Sequence, residues 1–259
     1  MRVAWIKLDN AVNVRDVGGV PAGHGKIGPG RLIRSDNLQD LSPGDVRHLV
    51  DDLGLTTVID LRSTPEVAAE GPGPMRAVER VEHLHFSVLP ESHGMTDASA
   101  DALAIGRERA MARDPEDLLG SFYQGYLEDR PDSIVGALRA IAAAPGAVLV
   151  HCAAGKDRTG VIVAMALTAV GVPRSLVVDD YALTAERIGA VLARLRSSPT
   201  YASDVDALPD EEHRPKAATM DRFLARMDAS HGGVLGWLEA HGFGSVDVEA
   251  LRTKLVTEA

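Results

Sequence analysis

Cysteine is almost missing from this chain: Cys152 is the only one in 259 residues. That excludes an intramolecular disulfide and a zinc site built from four thiolates. Aromatic residues make up only 4% of the sequence, so Ala, Val and Leu must fill most of the core. Basic residues are the minority, 27 Lys and Arg against 37 Asp and Glu, for a formal net charge of −10. Such a chain repels polyanions on average, which argues against a general nucleic-acid binder and against binding to anionic membranes. Long apolar runs are absent as well. The longest, Val161 to Val172, is interrupted by Thr168 and Gly171 and falls short of the ~20 residues that a membrane span requires. Met1 to Asn10 has no apolar stretch and no small-residue cleavage site, so it does not read as a secretory signal. No fixed-period repeat or low-complexity tract stands out. What is present is 45% apolar and 25% charged residues, an ordinary globular balance. The expectation is a soluble, cytoplasmic protein, and 259 residues leave room for one large domain or two small ones.

Gly23, Gly25 and Gly28 match the dinucleotide-binding glycine pattern literally. That pattern needs a strand before it and a helix opening on its last glycine. Here Pro29-Gly30 and the strand-like Arg31-Leu32-Ile33-Arg34 follow, so Pro21 to Gly30 reads as a hairpin loop. Ser42-Pro43-Gly44-Asp45 opens a helix that runs to about Leu53, with Gly54 beyond its end. Leu55 to Leu61 reads as a buried strand, Ser63-Thr64-Pro65-Glu66 as a helix start, and Val81 to Val88 as a further strand. Glu91 to Asp129 is loosely helical, and an insertion of this length between core strands often covers a site, so a helical lid is expected there. Pro131 to Ala144 is a helix, Gly146 to Val150 a short strand, and Thr159 to Val170 an almost wholly apolar helix central to the core. Further helices are expected over Ser175 to Arg196 and from Lys216 to the C-terminal region, with an exposed acidic loop from Pro199 to Pro215 between them. Strands alternating with helices imply an α/β fold with a central, mainly parallel sheet flanked by helices.

The passage Val148-Leu149-Val150-His151-Cys152-Ala153-Ala154-Gly155-Lys156-Asp157-Arg158-Thr159-Gly160 carries the chemistry. An apolar strand runs into a tight loop, and the loop runs directly into a buried helix. Successive N–H groups of such a loop can point inward, and the helix N-terminus adds positive potential, so the passage can cradle an anion. Arg158 can fork onto two oxygens of a tetrahedral oxyanion. The same field favours Cys152 as thiolate. An anion cradle around a thiolate is a device for nucleophilic attack on phosphorus. A lone cysteine is more commonly a buried core residue, but here His precedes it, Gly stands at +3, Arg at +6, Thr at +7 and Gly at +8.

This spacing resembles the His-Cys-x5-Arg-Ser/Thr-Gly signature of the protein tyrosine phosphatase superfamily. Asn13-Val14-Arg15-Asp16-Val17-Gly18-Gly19, Arg34-Ser35-Asp36, Ile59-Asp60-Leu61-Arg62-Ser63 and Asp180-Tyr181-Ala182-Leu183-Thr184 extend the likeness along nearly the whole chain. They occur in this order in bacterial phosphatases with an Ala-Gly-Lys-Asp-Arg-Thr-Gly loop. The resemblance implies a tyrosine-phosphatase-like fold and a single catalytic domain, residues 1–259, that cleaves phosphomonoesters through a phosphocysteine. In it, Cys152 would be the nucleophile and Arg158 the ligand of the phosphoryl oxygens. Thr159 would support the departing thiolate, and His151 would tune the cysteine. The backbone N–H groups of Ala153, Ala154, Gly155, Lys156, Asp157 and Arg158 would line the phosphate cup. Those donors already stabilise the developing charge, so no metal or other cofactor is expected.

Two carboxylates compete for the role of general acid. Asp157 matches the in-loop acid of myotubularin-like lipid phosphatases, and Asp60 matches an acid presented from a neighbouring strand; either could instead brace the loop. No Trp-Pro-Asp string occurs, and Asp132 of Arg130-Pro131-Asp132 reads as a helix-start residue. Arg15, Asp16, Arg34, Asp36 and Asp180 read as buttresses. His83 and His85 alternate on a strand and share a face, without a spaced third metal ligand. The expected substrate is phosphotyrosine in protein, with dual specificity open. A phosphoinositide is the alternative, because Lys156 could be a second cation for a multiply phosphorylated head group. Rhodanese-type sulfur transfer also uses a cysteine loop, but Gly155, Arg158, Thr159 and Gly160 favour phosphate. Arsenate reduction by a thiol cascade needs further cysteines, and an inactive phosphate-binding module would be expected to have lost Cys152 or Arg158.

Overall fold

The computed structural model of the chain describes residues 4–89, 108–114 and 117–258. Strands β1 (Ala4–Trp5), β2 (Arg15–Asp16), β5 (Leu32–Ser35), β6 (Leu55–Asp60), β7 (Glu82–His85) and β8 (Ala147–His151) form one sheet in the order β1-β2-β5-β8-β6-β7. The four strands β5, β8, β6 and β7 are parallel, and β1 and β2 continue the sheet antiparallel at the β5 edge. A hairpin, β3 (Pro21–Ala22) and β4 (Gly25–Ile27), pairs with β9 (Val256–Glu258) in a second sheet of three strands. The glycine-rich Pro21–Gly30 stretch is thus a hairpin that turns at Gly23, where φ is +56°.

Alternation along the strands divides the core. Leu32, Ile59, Val148 and Val150 face the larger apolar cluster, while Ile33, Val58 and Leu149 face a smaller one on the opposite side. The central β8 is buried along its whole length, as a parallel strand covered on both faces should be. The helices are α1 (Pro43–Arg47), α2 (Thr64–Glu70), α3 (Leu118–Asp129), α4 (Pro131–Ala143), α5 (Asp157–Ala169), α6 (Arg174–Ala182), α7 (Ile188–Ser197), α8 (Ala202–Asp206), α9 (Ala217–His231), α10 (Gly233–Ala240) and α11 (Ser245–Leu255). Helix α5 is the hub of the larger cluster, with Thr159 through Leu167 all buried.

Three segments differ from the sequence expectation. The helix expected over Ser175 to Arg196 is broken into α6 and α7 by a 3-10 turn at Leu183–Glu186. The Asp180 carbonyl, which would continue the helix, accepts instead from the buried Arg15 at Nη2, 2.7 Å away, and the Thr184 hydroxyl accepts from Arg15 Nη1 at 3.3 Å. The stretch from Pro199 to Pro215 is not a plain exposed loop: it contains α8 and a 3-10 turn at Asp210–His213, and Tyr201 and Val205 are buried. The chain after Lys216 is helical only to Leu255, because Val256–Glu258 closes the second sheet. Of the expected lid, residues 118–129 form α3, where Gly120, Ser121, Tyr123, Gly125, Tyr126 and Leu127 are buried. Residues 91–107, 115 and 116 of that expectation lie outside the described residues. Among the described residues no helix is long and apolar enough to cross a membrane.

Candidate active site

Cys152 is the first residue beyond the C-terminal end of β8, between the ends of β5 and β6, which pair with His151 through Ser35 and Asp60. Ligands of open α/β sheets bind in this crevice, outside the carboxyl ends of the strands. The loop from Cys152 to Lys156 then enters α5 at Asp157. Its tightest point is Gly155, at φ +66°, where a Cβ would lie 2.4 Å from the Ser35 carbonyl oxygen and 2.6 Å from the Asp36 nitrogen. Only glycine allows the loop to rest on the end of β5.

The loop carbonyls are engaged from behind. Asn37 N donates to the Ala153 oxygen at 2.9 Å, Asn13 Nδ2 to the Ala154 oxygen at 2.9 Å, and Arg34 Nη2 to the Gly155 oxygen at 2.9 Å. In a trans peptide the following N–H points the opposite way, so these bonds turn the amides of Ala154, Gly155 and Lys156 to the other side of the loop. A buried charge cluster supports them: Asp180 takes Arg15 Nε at 3.0 Å and Arg34 Nη1 at 2.5 Å. Burial, helped by the neighbouring Arg34 charge, lowers Arg15 to about 10. Burial opposes the charge on Asp180, but the two guanidiniums outweigh it and hold its carboxyl below the ordinary range. Asp36 receives the amides of Val12 and Asn13 and pairs with Arg194, while Asp16 receives those of Gly18 and Gly30. All five expected buttress residues therefore bind protein groups around the loop or the sheet edge that carries it.

Arg158 is clamped by a residue that no sequence signature marks. Its Nη1 and Nη2 donate to Glu66 Oε2 and Oε1 at 2.5 and 2.9 Å. Glu66 is also the third residue of α2 and closes the capping box with Ser63, whose N–H donates to Glu66 Oε2 at 2.7 Å. Burial disfavours the Glu66 charge, yet Arg158 prevails and lowers its carboxyl pKa. Two of the five guanidinium N–H groups are thereby used, and three remain for a ligand. The Thr159 hydroxyl is fully buried and has no hydrogen-bond partner among the described residues.

The two candidate acids sit in different environments. Asp60 accepts from Arg62 three times, from Nε at 3.0 Å, Nη2 at 2.6 Å and the backbone N–H at 3.0 Å. Burial works against its charge, but the charges and hydrogen bonds of its neighbours hold the carboxyl well below the ordinary range. His151 Nε2 lies 3.8 Å from Asp60, and its Nδ1–H donates to the Cys152 carbonyl at 3.2 Å. Burial lowers His151 to about 4, while its closeness to Asp60 favours the ionised carboxylate there. Asp157, at the first turn of α5, accepts from the Tyr123 hydroxyl at 2.6 Å through Oδ1, and its Oδ2 lies 3.4 Å from Lys156 Nζ. Lys156 itself donates to the His213 carbonyl at 2.9 Å, which ties the loop after Cys152 to the acidic Pro199–Pro215 segment.

Tyr123 and Tyr126 both fall within the stretch expected to be a lid, and the structure adds them to the site. Tyr126 stacks on Tyr123 with centroids 5.9 Å apart. Burial and the nearby Asp157 charge raise the Tyr126 phenol pKa, and Cys152 and Arg158 lie within its electrostatic reach. No sequence signal marks either tyrosine, because their faces are set by how α3 packs. His83 and His85 do not form a metal site: their Nε2 atoms bond to the Met75 and Arg62 carbonyls at 2.9 and 2.6 Å. Among the described residues no cluster of three potential ligands could hold a metal ion.

The pattern of the tyrosine phosphatase family matches residues 6–257. The chain is 30% identical to the triple specificity protein phosphatase PtpB of Mycobacterium tuberculosis, across 96% of this chain and 98% of that protein. It is 27% identical to a tyrosine-protein phosphatase of Nostoc commune, across 86% of this chain and 74% of that one. A match of that extent, over a parallel sheet that presents Cys152 and Arg158 at one strand end, shows that the chain belongs to the tyrosine phosphatase family and is a protein tyrosine phosphatase.

Proposed function

We propose that the chain hydrolyses phosphotyrosine in proteins without a metal ion, through a phosphocysteine at Cys152, with Asp157 as general acid and Asp60 as a brace. The observation that carries this reading is the clamp on Arg158: a guanidinium fixed by Glu66 beside the only cysteine, at the N-terminus of α5. In the first step the Cys152 sulfur forms a bond to phosphorus as the bond to the phenolic oxygen breaks. Asp157 gives its proton to that oxygen, so tyrosine leaves neutral. Arg158 and the loop amides take up the charge of the equatorial oxygens. In the second step water attacks phosphorus, Asp157 takes a proton from it, and the S–P bond breaks to return the thiolate. The orphaned Thr159 hydroxyl is then its hydrogen-bond donor.

Asp60 is unsuited to give a proton, because His151 beside it and the three Arg62 donors favour its ionised form. Asp157 is a quarter exposed and accepts from a single hydroxyl, that of Tyr123, among the described residues. The phosphoinositide alternative needs Lys156 as a second cation turned toward the substrate, and here the ammonium points to the His213 carbonyl and to Asp157. The name of the mycobacterial relative claims three specificities for that protein, so the decisive test compares substrate classes. Rates on a phosphotyrosine peptide, a phosphoserine peptide and soluble phosphoinositides, each in EDTA, should be highest for phosphotyrosine. Preference for a phosphoinositide, or loss of activity in EDTA, would overturn the proposal.

A further inference from the structure

We propose that the hydroxyl pair Tyr181–Tyr123 is a positioning device that keeps the transferable proton of Asp157 on Oδ2. The proposal rests on Asp157 being the general acid. Tyr123 Oη is 2.6 Å from Asp157 Oδ1 and 2.8 Å from Tyr181 Oη. Each phenol has one proton, so the direction of the chain decides the chemistry. If Tyr181 donates to Tyr123, then Tyr123 donates to Oδ1, and a proton on Asp157 must reside on Oδ2. If the chain ran the other way, Oδ1 would carry the proton and spend it on Tyr123, where it could not reach a substrate.

The surroundings of Tyr181 select the first direction. Among the described residues its hydroxyl has no other hydrogen-bond partner, so donating to Tyr123 is the only bond its proton can make. The positive Arg34 guanidinium lies on the Tyr181 side and repels a proton turned toward it. Both phenols are buried, which pushes their pKa values upward and keeps them protonated through the working range.

The two rings have little freedom to leave this arrangement. Tyr123 is fully buried, edge-on to Phe223 at 5.7 Å and to Tyr181 at 6.3 Å. Its helix is anchored at the start by Asp117, which accepts from the Gly120 N–H and pairs with Arg222 and Arg226 of α9 at 3.1 Å each. Tyr181 reaches its place because residue 160 is glycine; a Cβ there would stand 2.9 Å from the Tyr181 ring. Without the Tyr123 hydroxyl, Oδ1 loses its donor and the carboxyl can turn about its last torsion. The proton is then shared between two oxygens instead of being confined to Oδ2, the one that Tyr123 leaves free and that lies 3.4 Å from Lys156 Nζ.

Tyr123→Phe and Tyr181→Phe each remove one oxygen and keep the ring packing. Steady-state kinetics are measured for both, for Asp157→Asn, and for the Tyr123→Phe/Asp157→Asn double variant, on phosphotyrosine and on an aryl phosphate with a very acidic phenol. Misplacing a reacting group by an ångström can cost up to about 100-fold, so Tyr123→Phe should lower kcat on phosphotyrosine by about 10-fold or more, with KM within about 2-fold. The acidic-phenol substrate needs no proton and should lose far less. Tyr181→Phe should show the same signature more weakly. In the double variant the tyrosine change should add nothing on phosphotyrosine, since it acts through Asp157. Equal losses on both substrates would reduce Tyr123 to a packing residue and overturn the proposal, as would no loss at all or a fully additive double variant. If Asp157→Asn shows no dependence on the leaving group, the acid assignment falls first and the positioning role falls with it. Thermal melting of each variant shows whether a loss reflects unfolding.

Discussion

Replacing Glu66 by Gln would test whether Arg158 is set in place by folding rather than by substrate. The Glu66 carboxylate accepts three donors, Arg158 Nη1, Arg158 Nη2 and the Ser63 N–H. A glutamine can keep one oxygen on Ser63 and Arg158 Nη1, but its amide nitrogen then confronts Arg158 Nη2, donor against donor. Arg158 must turn away, and its charge, only 13% exposed, loses its counter-ion. Breaking a buried pair from one side costs about 3–5 kcal/mol. For a chain of this size each kcal/mol lowers the melting temperature by about 2–4 °C, so the variant should melt about 10 °C lower. An anion in the cup can replace the missing charge, so inorganic phosphate should raise the melting temperature of Glu66→Gln more than that of the wild type. The pH dependence follows the same pair. The carboxyl of folded Glu66 is depressed, so its contribution is fully present above the ordinary glutamate value of 4.5 and is lost as pH falls through the folded value. The stability gap between wild type and variant should therefore narrow in acid. A variant that melts within 2 °C of wild type, as a rough threshold of about 1 kcal/mol, with unchanged kcat/KM would refute the clamp.

Cys152→Ser should abolish turnover while leaving phosphotyrosine binding measurable by calorimetry, because the cradle survives without its nucleophile. Arg158→Lys should lower kcat/KM by at least about 100-fold, since an ammonium cannot hold two oxygens as a fork; a loss under 10-fold would contradict its role. Peroxide should inactivate the enzyme by oxidising Cys152, and with no second cysteine in the chain the thiol-reversible product should be a sulfenic acid, a sulfenamide or a mixed disulfide and never an intramolecular disulfide, as mass spectrometry would show. Asp180→Asn leaves Arg15 and Arg34 buried without a counter-ion and should cost about 3–5 kcal/mol in chemical denaturation. The Asp180 carboxyl is depressed, so its contribution is complete above the ordinary 3.8 and fades below it.

The parts of this site that are neighbours along the chain are legible in the amino-acid sequence alone. Cys152, Gly155, Arg158, Thr159 and Gly160 fall within nine residues, and a strand, a turn and an apolar helix N-terminus can be read across them directly. Arg15, Arg34, Asp36 and Asp180 are recognisable as polar residues in otherwise buried strings, although their partners are not. Glu66 and Tyr123 are invisible as site residues. Glu66 announces itself only as the end of a capping box, and its contact with Arg158 spans 92 residues. Tyr123 sits on a helix whose sequence is loosely patterned, and nothing local says which face meets Asp157. The break between α6 and α7 is hidden for a related reason: helical periodicity continues through Leu183, and only the distant Arg15 diverts the Asp180 carbonyl.

The bonds that shape the loop after Cys152 reach across the whole chain, from Asn13 over 141 residues to Ala154 and from Arg15 over 165 residues to Asp180. A peptide copying residues 148–160 would contain every signature residue and no cradle, because the donors that turn its carbonyls away belong to other segments. Contacts of such long sequence separation form only after large loops have closed, which makes them slow and mutually dependent. Catalytic competence is therefore a property of the finished topology, and during refolding it should return with the last cooperative step rather than in proportion to regained helix.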